Sequence, residues 1–168
     1  MTHVRLAALR RICDLIEEES GLRVFRGRQV IGKDIPKPLL NISEDIRPGS
    51  ERPSNDKVVR QDTCEYLLSG YIDNNNIEYP MDEGYECITA IEKAFARIMG
   101  IDRKNGDPID KENYRLGGLI SAFSYFPPIC HNPPDDVQSH SYFYIKFSFT
   151  VLYEASAPEV SMANKWSN

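Results

Sequence analysis

The segment from Ser141 to Glu154 constrains the fold more than any other part of the chain. Its side chains alternate in character with a period of two, as they do in a β-strand that has one face on a core. One face is apolar or aromatic and consists of Phe143, Ile145, Phe147, Phe149, Val151 and Tyr153. The other face consists of Tyr142, Tyr144, Lys146, Ser148, Thr150 and Leu152. The sequence therefore predicts a long strand whose apolar face other elements must cover.

Two segments have the periodicity of amphipathic helices that can cover this face. The first begins after Thr2, a candidate N-cap, and ends at Gly21, where a left-handed residue can close it. The second begins at Asp82, another candidate N-cap, and ends at Gly100. Apolar residues recur at three- and four-residue steps, namely Leu6, Leu9, Ile12, Cys13 and Ile16 in the first helix and Ile88, Ile91, Phe95 and Ile98 in the second.

The remaining segments complete a two-layer fold. Strands are predicted where β-branched and aromatic residues concentrate, at 22–25, 39–42, 57–73 and 115–126. The stretch from Glu44 to Lys57 contains two prolines and a glycine and has no apolar period, so we expect a long exposed loop there. Together the elements predict an α+β fold: an antiparallel, hairpin-rich sheet with two amphipathic helices packed on one face. We expect one domain at residues 1–154 and a polar C-terminal extension at 155–168.

Length and charge argue against several classes of protein. The 168 residues give room for one domain. A net charge of −5 argues against a general nucleic-acid binder and against docking on an anionic membrane, since both need surplus Lys and Arg. No stretch approaches the roughly 20 apolar residues of a membrane span, and the N-terminus has no apolar core of a signal peptide. We therefore expect the chain to stay in the compartment where it is made.

Ligand-type residues cluster in and beside the proline-rich segment 126–138. Cys130 and His131 are neighbours, Asp135 and Asp136 follow, and His140 comes shortly after. A metal site or a Cys130–His140 dyad is conceivable, so the alternative of another class is a small metal- or Cys/His-dependent hydrolase. Against it, neighbouring residues of an extended chain point to opposite faces, and the spacing is not that of a zinc site.

Other catalytic motifs are missing from the sequence. There is no G-x-S-x-G motif. Gly27, Gly32 and Lys33 have part of the spacing of a phosphate-binding loop, but Asp34 follows and prolines occupy the place of the required helix. The four cysteines are dispersed singly, which favours reduced thiols over a disulfide framework. The sequence predicts a protein that is not an enzyme, with no catalytic residue, metal or cofactor.

The order of these elements resembles the tail terminator (tail-completion) proteins of long-tailed bacteriophages, over about residues 1–154. The matching features are the N-terminal helix that leads through Gly21 into 22–25, a strand preceded by Pro38, a long loop, a strand ending in Tyr71-Ile72-Asp73, the helix segment 88–94 and the closing-strand segment 145–153. The C-terminal extension and the proline-rich segment depart from this pattern. Head–tail connector, neck and minor tail proteins share much of it and stand as an alternative.

The resemblance implies a structural virion protein without a cofactor. Such a protein forms a homo-oligomeric ring of six subunits that caps the tail tube, ends its polymerisation and joins the tail to the head connector. The expected partners are copies of the chain itself, the tail tube protein and the head–tail connector or neck protein, with DNA only in transit and no membrane. The expected location is the head-proximal end of the virion tail, and the host cytoplasm during assembly.

An interface hypothesis follows for ten residues. The loop from Glu44 to Lys57 is long enough to reach a neighbouring subunit. Trp166 stands alone in a polar tail, where it can anchor on a neighbour or, equally well, fold onto its own subunit. The Tyr142 face has more aromatic surface than a solvated strand face needs, although the chain's own loop could cover it equally well. Six copies at −5 would carry −30 in total, which would let DNA pass without sticking. The predicted interface residues are Glu44, Arg47, Arg52, Lys57, Arg60, Pro127, Pro128, Tyr142, Tyr144 and Trp166.

Overall fold

The computed structural model describes residues 2–28, 36, 38–44, 59–73, 78–79, 81–131, 140–154 and 156–160. At a few strand ends, among them Arg60, His131 and His140, it describes the backbone alone. The elements in chain order are β1 (Thr2–His3), α1 (Val4–Ser20), β2 (Val24–Arg26), β3 (Leu39–Glu44), β4 (Val59–Asp73), α2 (Asp82–Met99), α3 (Arg115–Gly118), β5 (Ala122–Tyr125), β6 (Ile129–His131), β7 (His140–Glu154) and β8 (Glu159–Val160).

A six-stranded mixed sheet forms one layer of the fold. Its strand order is β2-β3-β4-β7-β5, and β6 lies beside the beginning of β7. The two long strands, β4 and β7, are antiparallel in a register that runs from Val59 opposite Glu154 to Asp73 opposite His140. The prediction of an α+β fold with a long closing strand is confirmed.

The prediction that the sheet is antiparallel is wrong at one edge. Strands β2 and β3 are parallel, with Val24 opposite Leu40 and Arg26 opposite Ile42. Parallel neighbours need a connection of about a dozen residues to return the chain to the same end of the sheet. The segment 27–38 supplies that length. Strands as short as these carry no pattern that reveals their direction.

Helices α1 and α2 form the second layer. They cover the apolar face of β7, as the sequence predicts. The odd-numbered residues of β7 from Phe143 to Val151 are buried, as are the large even-numbered residues of β4 from Cys64 to Ile72. They share one hydrophobic core with the inward residues of both helices. The alternation of β7 is therefore confirmed as a core-facing pattern.

Aromatic rings fill the centre of this core. Phe95 of α2 is fully buried, and its ring centroid lies 5.0 Å from those of Phe123 and Tyr125 and 5.5 Å from that of Phe147. Tyr66 of β4 stacks at 5.5 Å on Phe147. Aromatic pairs at such distances add stability beyond the area that they bury. The contacts fix α2 over the β4–β7–β5 part of the sheet.

The helix ends differ in part from the sequence prediction. Gly21 closes α1 with φ +68° and donates its N–H to the Glu17 carbonyl, as predicted. Thr2 is not the N-cap, because it belongs to β1. Instead His3 Nδ1 accepts a hydrogen bond from the Arg5 N–H at 3.2 Å. Asp82 lies in the first turn of α2 and does not cap it, since the N-cap position falls on Met81.

A network of side-chain hydrogen bonds joins the segment that follows α2 to both helices. The Arg97 guanidinium donates to Asp110 Oδ2 at 2.8 Å and to Glu18 Oε2 at 2.9 Å. The buried amide of Asn113 donates to Asp110 Oδ2 and its Oδ1 accepts from Arg11 at 2.6 Å. These charge-assisted bonds hold the long connection against the helix layer.

The predicted strand 115–126 is wrong in its first seven residues. Arg115 and Leu116 have φ angles of +50° and +53°, and Gly117 and Gly118 also have positive φ. A run of left-handed residues turns the chain instead of extending it. The tandem glycines were the signal for this turn. The strand begins only at Ala122.

The Phe126-Pro127-Pro128 segment is a β-bulge on the edge beside β7. Tyr125 pairs with Phe147 and Ile129 pairs with Tyr144, so four steps on this edge match three on β7. An extra residue reverses the side to which the following residues point. Proline is tolerated at such a position because an edge residue need not donate to the sheet.

Part of the C-terminal extension returns to the N-terminus. In β8, Glu159 pairs with His3 and Val160 pairs with Thr2. The Val4 N–H donates to the Pro158 carbonyl at 2.9 Å. The division of the chain at residue 154 coincides with the end of β7, and as a domain boundary it stays a prediction.

Candidate interaction surfaces

The ten predicted interface residues fall into three groups. Arg47, Arg52, Lys57 and Trp166 lie outside the described residues, as does the whole segment 45–58. Glu44 is exposed at the end of β3, and Arg60 lies in β4 with only its backbone described. The remaining four are on or beside β7: Pro127, Pro128, Tyr142 and Tyr144. The structure therefore brings the last group together and leaves the loop hypothesis a prediction.

The sheet face opposite the helices carries the two predicted tyrosines. Tyr142 lies opposite Tyr71, and Tyr144 lies opposite Ser69, across the β4–β7 pair. All four side chains are half-buried. Ile129, on the other side of Tyr144, is 49% exposed. The aromatic end of this face is therefore the end at which β7 begins.

The other end of the same face is polar. The hydroxyls of Thr63 and Thr150 lie 2.9 Å apart, and so do those of Ser124 and Ser148. Such cross-strand pairs satisfy one another and stabilise the sheet without an outside partner. Water can solvate this end, which makes it a poor candidate for a contact.

A surface that we call the arginine edge occupies β2 and the residues beside it: Arg23, Phe25, Arg26 and Arg28. The three arginines are exposed and Phe25 is half-buried. The guanidinium carbons of Arg23 and Arg28 lie 5.0 and 4.9 Å from the centroid of the Phe25 ring, within the range of cation–π attraction. Residues 21–28 contain three arginines and no acid, in a chain whose net charge is −5.

Hydrogen bonds tie the backbone of the arginine edge to Asn41 of β3 and Glu17 of α1. The buried Asn41 side chain accepts from the Arg28 N–H and donates to the Arg28 carbonyl, each at 3.1 Å. The Val24 N–H, which would otherwise be available to a further strand, donates to Glu17 Oε1 at 2.7 Å. Glu17 of α1 thus occupies one backbone donor of this edge.

A surface that we call the tyrosine edge lies where α2 begins, beside β6: Tyr79, Asp82, Tyr85, Glu86 and Ile129. Tyr79 is 57% exposed and Tyr85 is 51% exposed. The Tyr85 hydroxyl hydrogen-bonds the thiol of Cys130, which places its ring against β6. Residues 78–86 contain four acids and neither Lys nor Arg. The surface is therefore both aromatic and negative.

A third surface, the apolar loop, follows the C-terminal end of α2 and includes Met99, Ile101 and Ile109. These side chains are 40%, 49% and 61% exposed. The backbone beneath them is fastened, because Ile109 donates its N–H to Gly100 and Ile101 forms a bridge with Pro108. With a rise of about 1.5 Å per residue, the 18 residues of α2 put this loop about 27 Å from the tyrosine edge.

The cysteine and histidine residues of the hydrolase alternative are only partly described. The Cys130 thiol faces the helix layer, where a Cβ added to Gly84 would lie 3.6 Å from it. His131 pairs with Tyr142, and His140 pairs with Asp73 on the far side of β7. Asp135 and Asp136 lie outside the described residues. Within the described ranges there is no group of three or more His, Cys, Asp or Glu that could hold a metal ion.

Burial disfavours the reactive form of all four thiols. It raises the pKa of Cys13 to about 12 and that of Cys87 to about 11. It also raises the pKa of Cys64 and Cys130, although hydrogen bonds from Arg5 and Tyr85 respectively oppose the rise. The thiolate is the nucleophile and the metal ligand, so these cysteines are poorly suited to either role at neutral pH.

Sequence reasoning missed both charged edges. The signal for the arginine edge was the run RVFRGR, and that for the tyrosine edge was EYPMDEGYE, with two tyrosines among four acids. Neither run has a helical or strand period that sets it apart. Each run can be recognised as a candidate interaction surface only when the fold places it on a sheet edge.

Comparisons with known proteins leave the family open. No family model matches the chain, and no curated protein matches it. Among the helices that the structure describes, none combines the length and the hydrophobicity needed to cross a membrane.

Proposed function

We propose that this chain is a structural subunit that assembles with copies of itself into a ring of the bacteriophage tail terminator type. One observation carries the proposal: two different candidate contact surfaces lie at separate edges of one sheet, with exposed arginines around the half-buried Phe25 at one edge and the exposed Tyr79 and Tyr85 at the other. One self-complementary patch makes a two-fold dimer, whereas two different patches support a contact that repeats from copy to copy. When the repeated contact closes, the product is a ring.

The order of elements supports the terminator type of ring. The strands β3, β4, β7 and β5 form an antiparallel block with α1 and α2 on one face, in the chain order that carries the resemblance. In this role the ring caps the tail tube, ends its growth and offers its other side to the head connector. The apolar loop lies at the end of α2 away from the tyrosine edge, and we assign it to one of these axial partners.

The proposed action is steric rather than chemical. A cap stops polymerisation by covering the surface on which the next tube subunit would bind, and this requires a fixed shape and no reactive group.

Negative-stain electron microscopy of the purified chain tests the proposal. Annular particles of uniform diameter, with a central hole wide enough for duplex DNA, are the expected result. Solid particles of monomer or dimer size at every concentration would overturn it. Open filaments would show that the contact is heterologous but does not close, and would exclude the ring.

A further inference from the structure

We propose that the arginine edge of one copy docks on the tyrosine edge of the next copy, and that this contact builds the ring. The inference rests on the proposed function and deepens it by naming the surfaces that meet. Both surfaces are defined by side chains that the structure describes as exposed or half-exposed.

The two edges cannot satisfy each other within one chain. Strands β2 and β5 stand at opposite ends of the strand order, with four inter-strand spacings between them. At about 4.8 Å for each spacing, the edges are about 19 Å apart, which exceeds the reach of an arginine side chain. Contact between these two edges is therefore possible only between different copies of the chain.

The charges of the two edges are complementary. Arg23, Arg26 and Arg28 give the first edge three positive charges, which the Glu17 carboxylate at the Val24 N–H offsets only in part. The second edge has Asp82 and Glu86 exposed within a segment that contains no base. Opposite potentials on two surfaces favour encounter and set the orientation of docking, while pairing of like edges is repulsive. Head-to-tail contact is thus favoured over symmetric contact.

The aromatic residues suit the same pairing. Tyr79 and Tyr85 expose about half of their surface beside the acids. Arginine and tyrosine are the residues enriched where protein interfaces carry most of their binding energy, and a guanidinium can stack on a tyrosine ring while it bonds a carboxylate. The tyrosine edge therefore offers both kinds of contact to the arginines of a neighbour.

Two other occupants of the arginine edge fit less well. An added β-strand would need the Val24 N–H, which Glu17 already holds at 2.7 Å. A nucleic acid needs surplus positive charge to neutralise its phosphates, whereas the chain as a whole carries a net charge of −5. A second copy of the chain offers the acids of its tyrosine edge to these arginines.

Charge-swap variants test the pairing. Variant A carries Arg23→Glu and Arg26→Glu, and variant B carries Glu78→Lys, Asp82→Lys and Glu86→Lys. In variant A the charge of residues 21–28 changes from +3 to −1, so both edges are negative. In variant B the charge of residues 78–86 changes from −4 to +2, so both edges are positive and each variant alone should repel itself. Each should need at least a tenfold higher concentration than the wild type for half-assembly, measured by light scattering. A matched reversal at exposed positions outside both edges, Arg103→Glu with Lys104→Glu, should assemble as the wild type does.

An equimolar mixture of the two variants shows whether each variant has lost only the contact between subunits or has failed to fold. In an equimolar mixture, every A edge meets an oppositely charged B edge, so rings of alternating subunits should form at wild-type concentrations. Circular dichroism spectra like that of the wild type should accompany each variant. Rings formed by A alone and B alone would overturn this pairing while leaving the proposed function standing, as would a mixture that fails to assemble although both variants are folded. A wild-type chain that never assembles would instead defeat the proposed function.

Discussion

Replacing Gly70 with alanine tests the register of the two long strands, on which every surface described above depends. Gly70 lies in β4 directly opposite Phe143 of β7. A Cβ added at Gly70 would overlap Cε1 and Cζ of the Phe143 ring and lie 2.8 Å from Cδ1. Phe143 is fully buried, so its ring has little room to retreat.

The expected cost of Gly70→Ala is about 2 kcal/mol of unfolding free energy. Overpacking a dense core costs about 1–3 kcal/mol, and an overlap with a rigid ring belongs near the upper end. Alanine has less backbone freedom than glycine in the unfolded chain, which offsets roughly 0.5–1 kcal/mol of this cost. Urea unfolding followed by circular dichroism, at a concentration below that of assembly, measures the difference.

Gly84→Ala is the matched control. Gly84 is also buried, but its added Cβ would meet Ile72 Cδ1 at 2.9 Å, the end of a flexible side chain, and Cys130 Sγ at 3.6 Å. Alanine also favours a helix interior by about 1 kcal/mol over glycine. We expect this variant to be as stable as the wild type or more stable.

A double variant shows whether Phe143 causes the cost at Gly70. Leucine at 143 removes the ring that the new methyl group meets, so Gly70→Ala/Phe143→Leu should be more stable than the sum of the two single changes predicts, by at least about 1 kcal/mol. The register would be refuted if Gly70→Ala were as stable as the wild type. Additive single changes would show that Gly70 and Phe143 do not meet.

Two further predictions concern titrating groups. Burial opposes ionisation of Asp110, but hydrogen bonds from Arg97 and Asn113 prevail and lower its pKa from 3.8 to about 2. Its stabilisation, about 1 kcal/mol after screening of a side chain that is 22% exposed, is therefore present above pH 4 and lost as the pH falls to 2. Urea unfolding should show Asp110→Asn less stable than the wild type at pH 7 and equal to it near pH 2, and equal stability at both would contradict the network. Cys130 is the one cysteine of the four that is only half-buried, so iodoacetamide at pH 7 should label it first but slowly, because burial raises its pKa. Fast labelling, at the rate of a free thiol peptide, would contradict this and favour the Cys/His alternative.

The elements that could be predicted from the sequence are those in which the spacing of apolar residues repeats several times. β7 alternates over its whole length, and the inward positions of both helices recur at helical steps, so burial follows directly from the pattern. The strand 115–126 was wrong in its first half because apolar residues around Gly117 and Gly118 look like a strand when the backbone requirement of tandem glycines is ignored. Thr2 pairs with Val160, which is distant in the sequence, so the N-cap of α1 is His3 and not Thr2. The local sequence could not indicate this pairing.

The candidate surfaces were less predictable than the fold. Tyr142 and Tyr144 stood out because they share a strand face with small polar residues. Arg23 and Tyr85 did not stand out, since a charge or an aromatic ring near a short strand or a helix start usually reflects solvation. Their relation depends on the strand order, which places β2 at one end of the sheet and β5 at the other.

The mass of the purified chain in solution tests the central claim most directly. Static light scattering across a concentration series, at low salt and again at high salt, should give a single closed species near six times 19.2 kDa, with monomer as the other major component. High salt should shift the balance towards monomer, because the proposed contact pairs opposite charges. A monomer at every concentration, or a two-fold dimer that salt does not weaken, would contradict the account.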